Sequence, residues 1–270
     1  MVAAGAPASA TEGTLASTKL LYFDHMWTLQ ATATVVSVIT EGERVAVVLD
    51  QTILYPQGGG QPFDTGFIEA LDGPIKFRVT DVRAKSGVVY HYGNYDENTQ
   101  TKVASYKPGD GVKIVVDGTR RTLNSRLHSA GHLLDACMRN AGLETLEPGK
   151  GHHFPDSPYV EYKGVIPSKD LENKRGALES EVNRLVTLGG QVRAMIVPYS
   201  EAAALCGGSL PDYVAKDSCP RIVCLGEHPG CPCGGTHVSE ISEIGEVKVT
   251  QIRVKKGVSK VSYNLADSVA

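Results

Sequence analysis

Apolar and polar residues alternate along much of the first half of the chain. Between Ala31 and about Val116 the segments ATATVVSVI, RVAVVLD, FIEALDG, IKFRVTDV and GVVYHYG follow a two-residue period, broken by Gly, Asp and Asn turn signals. Such a pattern predicts short antiparallel strands forming a small barrel or curled sheet, with no long helix. The period changes at Asp117-Gly118-Thr119. In RRTLNSRLHSAGHLLDACMRNAG, Leu123, Leu127, Ala130, Leu134 and Cys137 recur at helical spacing, which predicts a helix with Thr119 as its N-cap and a glycine stop.

Further on, Leu171, Leu178, Val182 and Leu185 mark a second helix running from Ser168 to about Leu188. Val192 to Val197 reads as a strand and Ser200 to Leu205 as a short helix. The tail GEVKVTQIRVKKGVSKVSYNL alternates around Lys256-Gly257 as a β-hairpin does. The expected fold class is therefore α+β, in three parts: a disordered tail over 1–18, an antiparallel β-barrel subdomain over 19–117, and an α+β unit over 118–270.

The chain has 270 residues, enough for one large or two small cores, and a formal charge of −3. That balance excludes coating of nucleic acid by bulk charge, so a nucleic-acid partner would be gripped by local patches. The candidates are Arg120, Arg121 and Arg126 at the first helix and Lys248, Arg253, Lys255, Lys256 and Lys260 near the end; a solvated charged face is the competing explanation for each patch. No apolar run approaches the roughly 20 residues that span a membrane, so no membrane partner is expected. The opening MVAAGAPASATEGTLAS carries neither Lys nor Arg, unlike a secretory signal or a transit peptide. Reduced thiols and a cytoplasmic location are then the expectation.

Candidate chemistry lies in histidine and cysteine. His128 and His132, four apart on the predicted helix, project from one face and can converge on one ion. Cys233 and His237 sit in Pro-Cys-Gly-Gly-Thr-His, whose glycines permit a tight backbone path. Together the pairs make a complete set of one thiolate and three imidazoles, which suits zinc better than magnesium or calcium. Two alternatives compete: a local knuckle of Cys219, Cys224, Cys231 and Cys233, with His228 in reserve, and cysteine nucleophile chemistry. Metalloprotease chemistry is disfavoured further, because Ser129 stands where that motif needs a Glu base. Gly58 to Gly60 is no phosphate loop, because Gln61-Pro62 follows in place of Lys-Ser/Thr.

Three blocks, LDQTILYPQGGGQPFDTG (49–66), RLHSAGHLLDA (126–136) and PCGGTHV (232–238), in this order resemble the editing domain of alanyl-tRNA synthetase and its free-standing AlaX-type relatives. The resemblance implies a zinc-dependent hydrolase that deacylates mischarged alanine tRNA, seryl-tRNA and also glycyl-tRNA, without ATP because no aminoacylation core fits in the chain. It makes His128, His132, Cys233 and His237 the metal positions and places Thr52 near the mischarged amino acid. Gln61 closes the glycine block as a shaping residue. Where several relatives carry Gln-Lys-Gly-Ser, this chain has Pro148-Gly149-Lys150-Gly151-His152-His153, a departure in one wall of the implied pocket. The similar editing domain of threonyl-tRNA synthetase is the nearest alternative in substrate, and a non-catalytic zinc-stabilised module that binds RNA or protein is the alternative in kind.

Overall fold

The computed structural model describes residues 15–96 and 105–266. Its first half is a closed barrel of six antiparallel strands: β1 (Gln30–Glu41), β2 (Arg44–Leu49), β3 (Gly66–Ala70), β4 (Lys76–Lys85), β5 (Val88–Tyr95) and β6 (Gly111–Val116). They close in the order β1-β2-β5-β4-β3-β6, and β6 pairs back onto β1. Closure leaves no open sheet edge and gives the alternating residues one shared interior. Val35, Leu49, Ile68, Phe77, Val79, Val82, Val112 and Ile114 fill it. Of the tail expected over 1–18, residues 1–14 lie outside the described residues. Thr18, at its end, is buried: its hydroxyl donates to Leu49 O at 3.2 Å and accepts from Val89 N–H at 3.0 Å.

The second half is α+β. Helix α1 (Gly118–Asn140) follows the barrel directly, and its N-cap is Asp117, whose carboxylate accepts from Arg120 N–H at 3.1 Å, not the Thr119 expected from sequence. Leu127, Ala130, Leu133, Leu134, Cys137 and Met138 bury α1 against α2 (Leu171–Leu188) and a four-stranded antiparallel sheet. That sheet comprises β7 (Glu147–His152), β8 (Tyr159–Lys163), β11 (Val247–Lys255) and β12 (Val258–Leu265), ordered β11-β12-β8-β7. A smaller sheet joins β9 (Val192–Ile196), β10 (Arg221–Leu225) and the short strand Cys231–Pro232, with helix α3 (Tyr199–Leu205) against it. No helix among the described residues is long and apolar enough to cross a membrane.

Candidate metal centre

Helix α1 and the loop after Cys231–Pro232 bring the four predicted ligands together. The ligand atoms of His128, His132, Cys233 and His237 all lie within 4.8 Å of one another. Three imidazoles present Nε2 inward: His128 Nε2 is 3.1 Å from His132 Nε2, and Cys233 Sγ is 3.5 Å from His128 Nε2 and 3.4 Å from His237 Nε2. Residues 128 and 132 share the buried side of α1 one turn apart, as the 3.6-residue period requires. Gly235 lets the loop close over them, because a Cβ there would overlap the His128 ring and stand 2.8 Å from Gln61 Oε1.

Each inward-facing ring is held from behind. His128 Nδ1–H donates to Gln61 Oε1 at 2.8 Å, and the same oxygen accepts Thr236 N–H at 2.9 Å, while the Gln61 amide donates to Thr236 Oγ1 at 2.9 Å. His237 Nδ1 lies 3.1 Å from Ser129 Oγ, which also accepts from Val238 N–H at 3.2 Å. His132 Nδ1 lies 2.7 Å from Cys231 Sγ. At His128 the Gln61 acceptor fixes the proton on Nδ1 and leaves the Nε2 lone pair toward the centre, the tautomer a metal needs; the partners of His237 and His132 can accept in the same way. Burial lowers the pKa of all three imidazoles, His132 to about 4, so they are neutral near pH 7; neighbouring His237 adds to the effect at His128, and neighbouring His132 at His237. Burial raises the Cys233 thiol, against the Gly235 N–H and the Arg221 guanidinium, which lower it.

This donor set fits a borderline-soft cation: three neutral imidazoles and a sulfur converge, and no carboxylate belongs to the group. The competing cysteine knuckle is not assembled. Cys219 is exposed, Cys224 is buried in a separate apolar cluster with Ala202, Leu210 and Ile222, and among the described residues neither joins a potential metal group.

His153, from the run noted as a departure, and Tyr263, which the sequence did not single out, complete the wall. His153 is buried and stacks on His128, with ring centroids 4.6 Å apart and planes 25° apart. Its Nδ1–H donates to Tyr263 Oη at 2.6 Å, which donates in turn to Leu127 O at 2.8 Å, and its backbone N–H reaches Gly60 O at 2.8 Å. The Pro148–His153 run therefore puts a histidine ring against the ligand set. Ser125, His128, Ser129 and His132 were a visible signal for the supporting hydroxyls, a polar stripe at helical spacing on an otherwise apolar helix face.

The remaining expected site residues lie outside the four-residue group. Thr52 is fully buried, and its hydroxyl contacts His91 Nε2 at 2.9 Å and Leu54 N at 3.0 Å. Because His91 Nδ1–H must donate to Val47 O, at 2.8 Å, His91 Nε2 accepts and Thr52 is the donor. Arg121, expected among the tRNA-binding cations, is instead structural: it is 3% exposed, ion-paired with Asp64, and donates to Met26 O and Ile53 O. A fixed, desolvated guanidinium cannot reach a phosphate. Arg120 donates to Phe63 O and lies over the Phe63 ring, and Arg126 donates to Ile244 O. Lys255 and Lys256 are exposed at the tip of the β11–β12 hairpin.

A closed antiparallel barrel feeds a histidine helix that faces a Cys-Gly-Gly-Thr-His loop, a barrel-plus-α+β architecture built around one candidate metal centre. Residues 7–120 match the model described as tRNA synthetases class II (A), and residues 221–262 match the threonyl and alanyl tRNA synthetase second additional domain. The alanyl-tRNA editing protein AlaX-L of Pyrococcus horikoshii is 31% identical over 236 residues, covering 87% of this chain and 54% of that protein. The alanine–tRNA ligase of Sulfurisphaera tokodaii is 30% identical over 95% of this chain and 27% of the ligase, and that of Methanothrix thermoacetophila is 32% identical over 91% and 25%. The chain is thus similar to AlaX-type alanyl-tRNA editing proteins and to part of the alanine–tRNA ligases. It spans about half the length of AlaX-L and about a quarter of the ligases.

Proposed function

We propose that the protein is a trans-editing hydrolase that deacylates mischarged alanine tRNA, seryl-tRNA and also glycyl-tRNA, at a zinc site held by His128, His132, Cys233 and His237. The observation that carries this is the convergence of three Nε2 atoms and one sulfur, with every distal imidazole nitrogen facing a separate partner. When bound, zinc supplies Lewis acidity toward an ester carbonyl and an attachment point for an amino group. The chain's own residues orient and select. Gln61 and Ser129 hold the His128 and His237 rings in register, and the buried wall of His153 and Tyr263 limits bulk water on that side. Hydrolysis adds water across the ester: the acyl–oxygen bond to the terminal ribose breaks, and the ribose hydroxyl recovers a proton.

Serine differs from alanine by one hydroxyl, which an apolar pocket rejects by only about a hundredfold, so a second site that hydrogen-bonds it is useful. Thr52 gives its proton to His91 and accepts from Leu54 N–H, so its remaining lone pair can only accept. A seryl hydroxyl is the donor that matches it, and Thr52→Val is expected to abolish the preference for the seryl over the alanyl ester. Arg120, Arg126, Lys255 and Lys256 are the cations we assign to the tRNA backbone. Free cysteines fit a reducing compartment, and we place the protein in the cytoplasm, acting without ATP. The test is ester loss from seryl-, glycyl-, alanyl- and threonyl-tRNA, with and without a chelator. Chelator-sensitive loss of the seryl ester, with the alanyl ester spared, supports the proposal. Exclusive loss of the threonyl ester would reassign the substrate, and no loss from any of them would leave a zinc-stabilised binding module.

A further inference from the structure

Trp27 is the chain's single tryptophan, and half of its surface, 52%, is open to solvent. Large aromatic rings are normally buried, so an open one held rigidly calls for an explanation. Trp27 is held rigidly. Its indole Nε1–H donates 3.0 Å to the backbone carbonyl of His237, one of the four converging residues. The turn that carries it is pinned on both sides: Arg121 donates to Met26 O at 2.9 Å, and Arg221 donates to Phe23 O at 3.0 Å. Arg221 also spans to Cys233 O at 2.7 Å and Gly235 O at 3.0 Å, tying the turn to the loop that bears the sulfur and the third imidazole. The result is an aromatic plate fixed to the backbone of the metal centre, with part of its surface free.

We infer that Trp27 is a stacking platform for the terminal adenine of the tRNA acceptor end. This rests on the proposed editing function, because the ester to be cut is attached to the ribose of that nucleotide. Once the ester carbonyl is at the four-residue centre, the attached base must lie within one nucleotide's reach of it, and Trp27 is bonded directly to His237. Single-stranded RNA ends are recognised by stacking on aromatic rings, and each such stack contributes about 1–3 kcal/mol. No other base or sequence need be read at that position.

Because no second tryptophan contributes, fluorescence excited at the red edge of the absorption band, where the eleven tyrosines do not absorb, reports on Trp27 alone. The full chain, loaded with zinc, is titrated with uncharged alanine tRNA and with the same tRNA lacking its terminal adenosine, and binding of both is followed separately by anisotropy of a label at the far end of the tRNA. The intact tRNA is expected to quench the emission, and the trimmed tRNA to bind without doing so. In the deacylation assay Trp27→Ala is expected to raise KM for seryl-tRNA by about 5- to 150-fold, the range of one lost stack, with most of the loss in KM rather than kcat. Trp27→Phe, which keeps a ring, recovers most of it. Equal quenching by both tRNAs, no quenching by a tRNA that binds, or an unchanged KM in Trp27→Ala overturns the inference, as does loss of zinc from that variant, which would make Trp27 a strut for His237. If quenching depends on the terminal adenosine while no ester is hydrolysed, the platform stands and the hydrolase proposal falls.

Discussion

Gln61 offers the sharpest test of how the ligand set is held. Its side chain is fully buried and makes three hydrogen bonds: Oε1 accepts from His128 Nδ1–H and Thr236 N–H, and the amide donates to Thr236 Oγ1. Gln61→Leu keeps the approximate volume and removes all three. Two buried donors then lose their acceptor, at about 1–3 kcal/mol each, so the metal-free protein should lose about 2–6 kcal/mol of stability in urea unfolding. His128 also becomes free to rotate or to carry its proton on Nε2, and loss of such a partner typically weakens metal binding about 10- to 100-fold. Gln61→Glu retains an oxygen acceptor for both donors, and Thr236 Oγ1 can turn its own proton toward the carboxylate, so its zinc affinity should return to within a few-fold of the parent. Competition against a colorimetric chelator measures the affinities. Zinc bound by Gln61→Leu as tightly as by the parent would refute the argument that Gln61 sets the His128 tautomer.

Other perturbations have equally definite signs. Gly131→Ala in an unobstructed helix stabilises by about 0.4–1 kcal/mol, but here the new Cβ would stand 2.7 Å from His153 Nδ1 and 3.0 Å from Tyr263 Oη, so thermal denaturation should show a lowered Tm, and a raised one refutes the packing argument. Arg121→Leu breaks a buried pair with Asp64 and should cost about 3–5 kcal/mol in urea unfolding, whereas a phosphate-binding arginine would lose tRNA affinity with stability intact. Cys231→Ala should weaken zinc binding about 10-fold or more while leaving the cobalt–thiolate absorption band that Cys233 supplies, and loss of the band would make Cys231 itself a ligand. Burial lowers His91 from 6.5 to about 4, so the folded state stays neutral where the unfolded state gains a proton. Its contribution to stability is complete above pH 6.5 and falls by up to about 3 kcal/mol as pH drops to 4, so His91→Asn should flatten urea stability across that window, and parallel pH curves would contradict it.

The parts of this molecule that were legible in sequence are those whose signal is local. Alternation over Ala31 to Val116 marked the barrel, and the apolar spacing from Leu123 to Cys137 marked α1, because one face of each element is buried. The two pairs that converge, His128/His132 and Cys233/His237, were visible because each is only four residues apart; that they meet each other is a long-range fact of the fold. Strand β7 was missed because Glu147-Pro148-Gly149-Lys150-Gly151-His152 has no apolar alternation; it is an edge strand held by pairing with β8. Strand β10 was missed for the opposite reason, since all of Arg221 to Leu225 is buried and no period survives. Arg121 read as one of a cluster of exposed cations because nothing near it in sequence announces Asp64, 57 residues away.

The barrel's place in the site follows from the polar bonds that cross between residues 19–117 and 118–270. Gln61 reaches His128 and Thr236, Asp64 takes Arg121, Phe63 O takes Arg120, Phe23 O takes Arg221, Trp27 donates to His237, and Gly60 O accepts from His153. Several of these are buried, where an unmet partner costs more than the bond contributes in water. If residues 118–270 stood alone, they would keep all four ligand side chains yet expose an unpaired Arg121, an unanchored Arg221 and a His128 with no acceptor on Nδ1. The glycine block that opens this seam is therefore best understood as part of the metal centre, although none of its residues belongs to the four-residue group. Its chain path delivers Gln61 to the back of His128 and Gly60 O to the back of His153, so the sequence blocks that make the family resemblance are the two sides of one hydrogen-bonded assembly.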